Sequence, residues 1–362
     1  MCREQRSGKR DLKHKLKRIL RECWARLLTH SGLHLLVDRL MPRRMLILGG
    51  HCVEHAECNA SLPSDMKISR ARLASILARL GRRYDLTTVG AGLQSLGSGR
   101  GRSLVALTMD DGYRDNVQVL LPLLEELGAS ATIFIESAAL DERRVNWTHK
   151  YFWLLDRMEP GVFAAEFAAS CTDEPLGAQL VQAAGGERAT YQMKRALKYD
   201  ADQEQRDRVL DELFVARGGD EGALCERLYL TWEDARVLHG AGIEIGGHTV
   251  THPVLAGLDP ERQAAELVGS RQALERGLGV QVRAMAYPFG RRWDFDDNAV
   301  VAVAAAGYTC SVTTHAGTVG PDSDPFQLKR WMVVEGTGMH LLVAEACGGF
   351  DLLRRLGLDL SE

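Results

Sequence analysis

The run Leu104-Val-Ala-Leu-Thr-Met109 constrains this chain more than any other segment. It is apolar or β-branched throughout, as a strand buried within a parallel sheet must be. It stops at two adjacent carboxylates and a glycine, Asp110-Asp111-Gly112. In parallel α/β sheets, strand ends open onto the ligand crevice. Two carboxylates there repel each other and resist desolvation, and a cation beside them relieves both costs. Further along, Ile245-Gly-Gly-His248-Thr-Val-Thr-His252-Pro253 places two histidines four residues apart after another strand-like run. One acid, two imidazoles and a second, unused acid make a candidate hydrolytic metal site.

The rest of the chain alternates. Strand candidates at 45–48, 104–109, 131–135, 243–246, 282–287 and 309–312 are separated by helical stretches at 69–80, 114–127, 259–276 and 297–306. Ser69 is placed to cap the first of those helices. Such alternation argues an α/β fold with a parallel, barrel-like sheet. Residues 141–230 break the pattern with a mostly helical insertion that opens on Trp147, Tyr151, Phe152 and Trp153. Aromatics in that setting more often build a core than a sugar platform. The expected organisation is a basic amphipathic extension over 1–44, a barrel over 45–345 interrupted by 141–230, and a tail over 346–362. The glycine-rich basic loop Leu96–Arg102 precedes a strand rather than a helix, so it is no phosphate loop.

The net charge of −3 gives no global pull toward nucleic acid. Eight cysteines, none in a Cys-x-x-Cys pair, fit reduced thiols in a cytosolic protein better than a zinc finger. The N-terminus has no continuous apolar signal region, and nothing is long enough to span a bilayer. The expected location is therefore cytoplasmic. In the extension, Leu12, Leu16, Ile19, Leu20, Cys23, Trp24, Leu27 and Leu28 recur with helical period among Lys13, Lys15, Lys17, Arg18, Arg21 and Arg26. A second short helix is expected over 32–40. The long helix has two candidate seats: docked on the barrel, or peripheral on the anionic inner face of a membrane.

Three motifs together resemble a known family. Thr108-Met-Asp110-Asp111-Gly112 is similar to the Thr-Phe-Asp-Asp-Gly motif of polysaccharide deacetylases, the NodB-homology or family 4 carbohydrate esterases. His248 to Pro253 resembles their His-Ser/Thr-x-x-His-Pro motif, and Tyr287-Pro288-Phe289-Gly290 the core of their third motif. The resemblance runs from about Met45 to about Val334. It implies a distorted (β/α)7 barrel and hydrolysis of the N-acetyl amide of an N-acetylhexosamine in a polysaccharide, oligosaccharide or glycan precursor. It implies one divalent metal, zinc first and Co2+ or Ni2+ next, held by Asp111, His248 and His252. Asp110 would be the general base, and the Tyr113 backbone N–H an oxyanion donor. Tyr287, Pro288 and Phe289 would line the substrate site. Two further functions stand beside this one: deacetylation or deformylation of a lipid-linked sugar, and a non-catalytic carbohydrate-binding protein.

The chain departs from the family at two points. The Arg that braces the catalytic acid is replaced by Ala286, and no Leu-x-His motif ends the domain; His340, in Gly-Met-His-Leu, is a poor match. A circularly permuted branch, similar to poly-N-acetylglucosamine deacetylases, also has Ala at the Arg position and carries its acid histidine early. Gly50-His51 matches that placement, which makes His51 the candidate general acid. Arg330 is the candidate replacement for the missing Arg.

Overall fold

The computed structural model describes residues 2–360, with side chains from Lys15 onward. Leu12 of the apolar stripe and Lys13 of the basic faces lie outside the described side chains. Eight strands form one parallel sheet: β1 (Met45–Gly50), β2 (Asp85–Thr87), β3 (Leu104–Met109), β4 (Ala131–Ile135), β5 (Glu244–Gly247), β6 (Ala284–Ala286), β7 (Cys310–Val312) and β8 (Trp331–Met332). Their order is β8-β1-β3-β4-β5-β6-β7. On the second edge of β3, β2 pairs with its first half and β4 with its second. The sheet curls into the half-barrel expected of the NodB-homology fold, and every residue of β1, β3 and β4 is buried. Those strands are continuous apolar runs because helices cover one face and the barrel interior the other.

Because all strands run the same way, their last residues gather at one rim. His51 follows β1, Asp110 follows β3, Glu136 follows β4 and His248 follows β5. Ser69 caps the helix Arg70–Gly81 by accepting from Arg72 N–H, as its sequence position requires. The stretch 114–127 departs from the sequence reading. It opens with a π turn over Asn116–Leu120 before the α-helix Leu121–Leu127, because Asp115 and Asn116 are drawn inward by bonds to Val53, Asn59 and Tyr113.

The insertion is six helices around a core of its own, with Tyr151, Phe163, Phe167 and Phe214 buried within it. Its aromatics therefore pack a core. Its last residues return to the rim, where Arg114 N–H donates to Leu228 O at 2.8 Å and Leu230 N–H to Gly112 O at 2.9 Å.

At the N-terminus, α1 (Cys2–His30) and α2 (Leu33–Leu40) form as expected. The single stripe divides in two. Ala25 and Leu28 are buried, and Trp24 Nε1 donates to Gly349 O at 3.1 Å. Leu16, Ile19, Leu20 and Leu27 face outward. Residues beyond 346 do not trail away: the helix Gly349–Arg355 buries Phe350. The described cysteines are unpaired. No described helix is long and apolar enough to cross a membrane.

Gly246 shows how tightly the rim is packed. A Cβ there would lie 2.5 Å from the Phe134 ring and 2.8 Å from Ala284 O, and the latter is backbone that cannot step aside. Gly246→Ala should cost about 1–3 kcal/mol of stability, as overpacking does. Urea unfolding checks this, and an unchanged midpoint would contradict the packing described.

Candidate metal and acid–base centre

Asp111, His248 and His252 bring their ligand atoms within 4.8 Å of one another, all buried. Asp111 Oδ1 lies 3.3 Å from His248 Nε2 and 3.6 Å from His252 Nε2. It has no hydrogen-bond donor, so a buried carboxylate oxygen is aimed at two ring nitrogens and satisfied by nothing. His248 Nδ1 sits 2.8 Å from Ala286 O, an acceptor only, so that nitrogen carries the proton and Nε2 presents a lone pair. A carboxylate and two imidazoles around one orphaned oxygen fit a divalent cation such as zinc.

The backbone is held to this geometry under strain. Asp111, Thr249, His252 and Phe289 all have positive φ, at 68°, 66°, 60° and 60°; among the described residues the other non-glycine case is Arg143. Each costs on the order of 1–3 kcal/mol and persists only where surroundings impose it. Around the histidines the surroundings are explicit. Glu266 Oε2 accepts from the N–H groups of Val250 and Thr251 at 2.8 and 2.9 Å, and Oε1 from the Thr251 hydroxyl at 2.6 Å.

Asp110 points elsewhere. Arg330 Nη1 and Nη2 donate to its two oxygens at 2.6 and 2.9 Å. Arg330 is fully buried, and its Nε donates to Thr313 O at 2.9 Å. The residue just before β8 thus supplies a guanidinium to Asp110, and Ala286 supplies none. Asp110 N–H donates to Gly50 O at 2.9 Å, which sets His51 beside the carboxylate pair. His51 is half-buried, and its charge bears on Asp111.

The other sequence-derived candidates separate. Phe289 packs edge-on to His252, ring centroids 4.6 Å apart, and so reaches the centre. Tyr287 turns inward instead, stacked on Phe295 at 4.0 Å with its hydroxyl on Phe326 O, and Pro288 is buried. The Tyr287 ring belongs to the core because β6 ends at Ala286 and the next side chain falls on the packed face. The expectation that the Tyr287 side chain lines the substrate site is therefore corrected. His340 bonds Glu22 at 2.6 Å on α1, away from the centre. Among the described residues no backbone carbonyl takes the Tyr113 N–H, which leaves that donor available.

The sequence did not single out Glu136, the Tyr113 hydroxyl, or the His149 and Tyr229 side chains that the insertion contributes. The Tyr113 hydroxyl donates to Asp111 Oδ2 at 2.8 Å. His149, on α3 (Trp147–Leu155), bridges Tyr113 and the Tyr229 hydroxyl. Burial pushes His149 down to about 4, so it is neutral at neutral pH. Tyr229 then donates to Nδ1, Nε2–H donates to Tyr113, and Tyr113 donates to Asp111. Glu136, bonded by Asn146 at 2.6 Å, is raised well above the usual range by burial and then by Asp111. Burial also disfavours ionised Asp111, but the neighbouring imidazoles of His248, His252 and His51 hold it well below the usual range. Burial, and then the neighbouring His248 imidazole, hold His252 well below its own. A histidine within an aromatic helix was the one available signal for His149, and core packing produces that pattern equally well.

The Arg330 clamp carries a stability prediction. Arg330→Met leaves Asp110 buried without its partner and should cost about 3–5 kcal/mol. Denaturant unfolding reads this directly; a loss under about 1 kcal/mol would mean that Asp110 is not held by this pair.

Known proteins resemble this chain in sequence and in fold. The polysaccharide deacetylase family model matches residues 97–175 and 177–311. The protein YxkH of Bacillus subtilis is 31% identical over 108 residues, which are 30% of this chain and 38% of that protein. The match thus spans well under half of the curated relative. Among solved structures, the Streptococcus pyogenes deacetylase PplD, in complex with acetate, superposes with a TM-score of 0.56 at 16% identity, covering 84% of this chain and 99% of that one. IcaB from Ammonifex degensii gives 0.54 at 17% identity, covering 85% and 98%. At such identities the likeness is one of fold.

Proposed function

The chain belongs to the polysaccharide deacetylase family, and we propose that it hydrolyses the N-acetyl amide of an N-acetylhexosamine within a glycan, using one divalent metal, zinc foremost. The observation that carries this reading is the orphaned Asp111 Oδ1 between two imidazoles, beside a second carboxylate clamped by Arg330. Asp111, His248 and His252 would hold the metal, which supplies Lewis acidity toward the acyl carbonyl and acidifies a water near neutral pH. Asp110 takes the proton of the attacking water, with its carboxylate plane fixed by the bidentate guanidinium. The Tyr113 N–H donates to the oxygen that gains charge as the carbonyl becomes tetrahedral. His51, across the rim, returns a proton to the departing amine nitrogen.

The test is acetate release from a panel of N-acetylated oligosaccharides and lipid-linked sugars, with and without chelator. Activity should vanish with chelation and return with zinc, cobalt or nickel. Asp110→Asn should keep its metal and lose about 10²–10⁴ in turnover. His51→Ala should lower turnover and flatten the alkaline limb of the pH–rate profile. A metal-loaded protein that releases neither acetate nor formate from any substrate would favour the carbohydrate-binding alternative. Formate release without acetate release would favour the deformylase.

A second reading concerns location. We propose that α1 and α2 seat the protein peripherally on an anionic membrane face, on the cytoplasmic side. Helix α1 carries ten Lys and Arg against three Asp and Glu, in a chain of net charge −3. Leu16 at 55%, Ile19 at 56% and Leu27 at 54% exposure form an outward apolar face, which Leu35, Leu36 and Leu40 of α2 extend. Apolar burial flanked by cations is what an anionic lipid surface rewards, at about 1 kcal/mol per basic side chain. The seat favours lipid-linked sugars as substrates. Replacing Leu16, Ile19, Leu20 and Leu27 by Gln leaves Ala25 and Leu28 docked. It should abolish salt-sensitive co-sedimentation with phosphatidylglycerol vesicles while activity on soluble oligosaccharides stays intact. Equal sedimentation of both proteins would end the membrane reading.

A further inference from the structure

The helix α4 (Ala189–Tyr199) of the insertion presents two lysines one turn apart, Lys194 and Lys198. Lys198 Nζ lies 3.6 Å from the Phe289 ring centroid, and that ring is the one packed on His252. Lys198 is compensated, because its ammonium meets Asp294 Oδ1 at 2.8 Å. Lys194 is not. Its ammonium sits 4.5 Å from the Phe152 ring centroid, half-buried, and among the described residues no carboxylate lies within ion-pair distance. The nearest fields of opposite sign come from exposed Asp65 and from Asp111 of the metal centre itself.

The backbone of a second cationic residue, Arg291, is tied to the same helix, and its guanidinium lies over the Trp293 ring, 6.0 Å from the centroid. Asp294 N–H donates to Arg291 O at 2.8 Å, and Asp294 Oδ2 accepts from Arg291 N–H at 2.9 Å, closing a turn around Asp294. That turn is tied to α4 twice more: the Tyr199 hydroxyl donates to Asp294 at 2.9 Å, and Trp293 Nε1 donates to Tyr199 at 2.6 Å. The exposed guanidinium of Arg291 has no carboxylate partner among the described residues. An ammonium partly withdrawn from water and left without a counter-charge is costly. Burial, set against the fields of Asp65 and Asp111, leaves Lys194 at about 8, still mostly protonated at neutral pH. Structure that retains such a charge beside a reaction centre is built for an anion that arrives with the ligand.

We propose that Lys194 and Arg291 form an anion subsite at the mouth of the metal centre, and that it takes a phosphate group on the substrate glycan, as in a glycosyl phosphate. Two cations on separate elements match a dianion with several oxygens better than a single planar carboxylate. The inference rests on the deacetylase reading and narrows its substrate class.

Two measurements test it. Inorganic pyrophosphate is titrated calorimetrically into the chelator-treated protein, so that no metal can bind it. The wild type should bind, Lys194→Met and Arg291→Met should each weaken binding at least about tenfold, and Lys194→Arg should retain it. Equal binding by wild type and both Met variants overturns the subsite. The metal-loaded enzyme is then assayed on N-acetylglucosamine 1-phosphate and on the neutral methyl glycoside. Lys194→Met should raise KM for the phosphate about tenfold, with kcat and the methyl glycoside unaffected. Equal KM changes on both substrates, or preference for a glucuronate-containing disaccharide over the phosphate, overturn the assignment. If neither monosaccharide is hydrolysed, the oligosaccharide panel decides the deacetylase reading, and the calorimetric result still decides the subsite.

Discussion

Everything at the rim depends on how Arg330 meets Asp110. The guanidinium enters from β8, at the edge of the sheet, and reaches the carboxylate at the end of β3, with β1 between them. On the way it also donates to Thr108 Oγ1 at 3.1 Å, whose own proton goes to Leu48 O. Three strands are thereby locked at the level of the reaction centre. A carboxylate this deep would otherwise be a liability. Held bidentately, it becomes a fixed acceptor, and its neighbour Asp111 is free to face the two histidines.

That division of labour between adjacent acids requires the backbone to turn sharply between them. The positive φ of Asp111 does so, sending one carboxylate to β8 and the other toward β5. The same conformation recurs at Thr249, His252 and Phe289, so the strained positions of the fold are concentrated where the ligand atoms converge. The rim is preorganised by backbone conformation as much as by side-chain bonding.

The barrel was legible in the sequence because its strands are short apolar runs with nothing else to do. Leu104–Met109 and Ala131–Ile135 fall where the pattern places them. Asp111, His248 and His252 were legible because packing alone seldom sets an acid and two imidazoles at the ends of buried strands. Arg330 was legible only by default, as an arginine near the end of the domain once Ala286 was seen to lack one. The strands Asp85–Thr87 and Trp331–Met332 escaped, since runs of two or three residues carry no periodicity. His149, Tyr229 and Lys194 escaped for another reason. Their roles depend on how an insertion folds back over the rim, and contacts between distant segments leave no local pattern. The Tyr287 ring went to the core because its chain direction, not its family motif, decides which face it takes.

The two ends of the chain meet. Trp24 of α1 bonds Gly349, and Glu22 bonds His340, more than three hundred residues away. The inward face of α1, with Ala25 and Leu28, is thus covered by a distant part of the chain. During synthesis that helix is made before the helices at 339–355, and its inner face has no seat until they follow. Throughout that interval both of its apolar faces are bare, and whatever surface first receives them must later give up the inner one to the helices at 339–355.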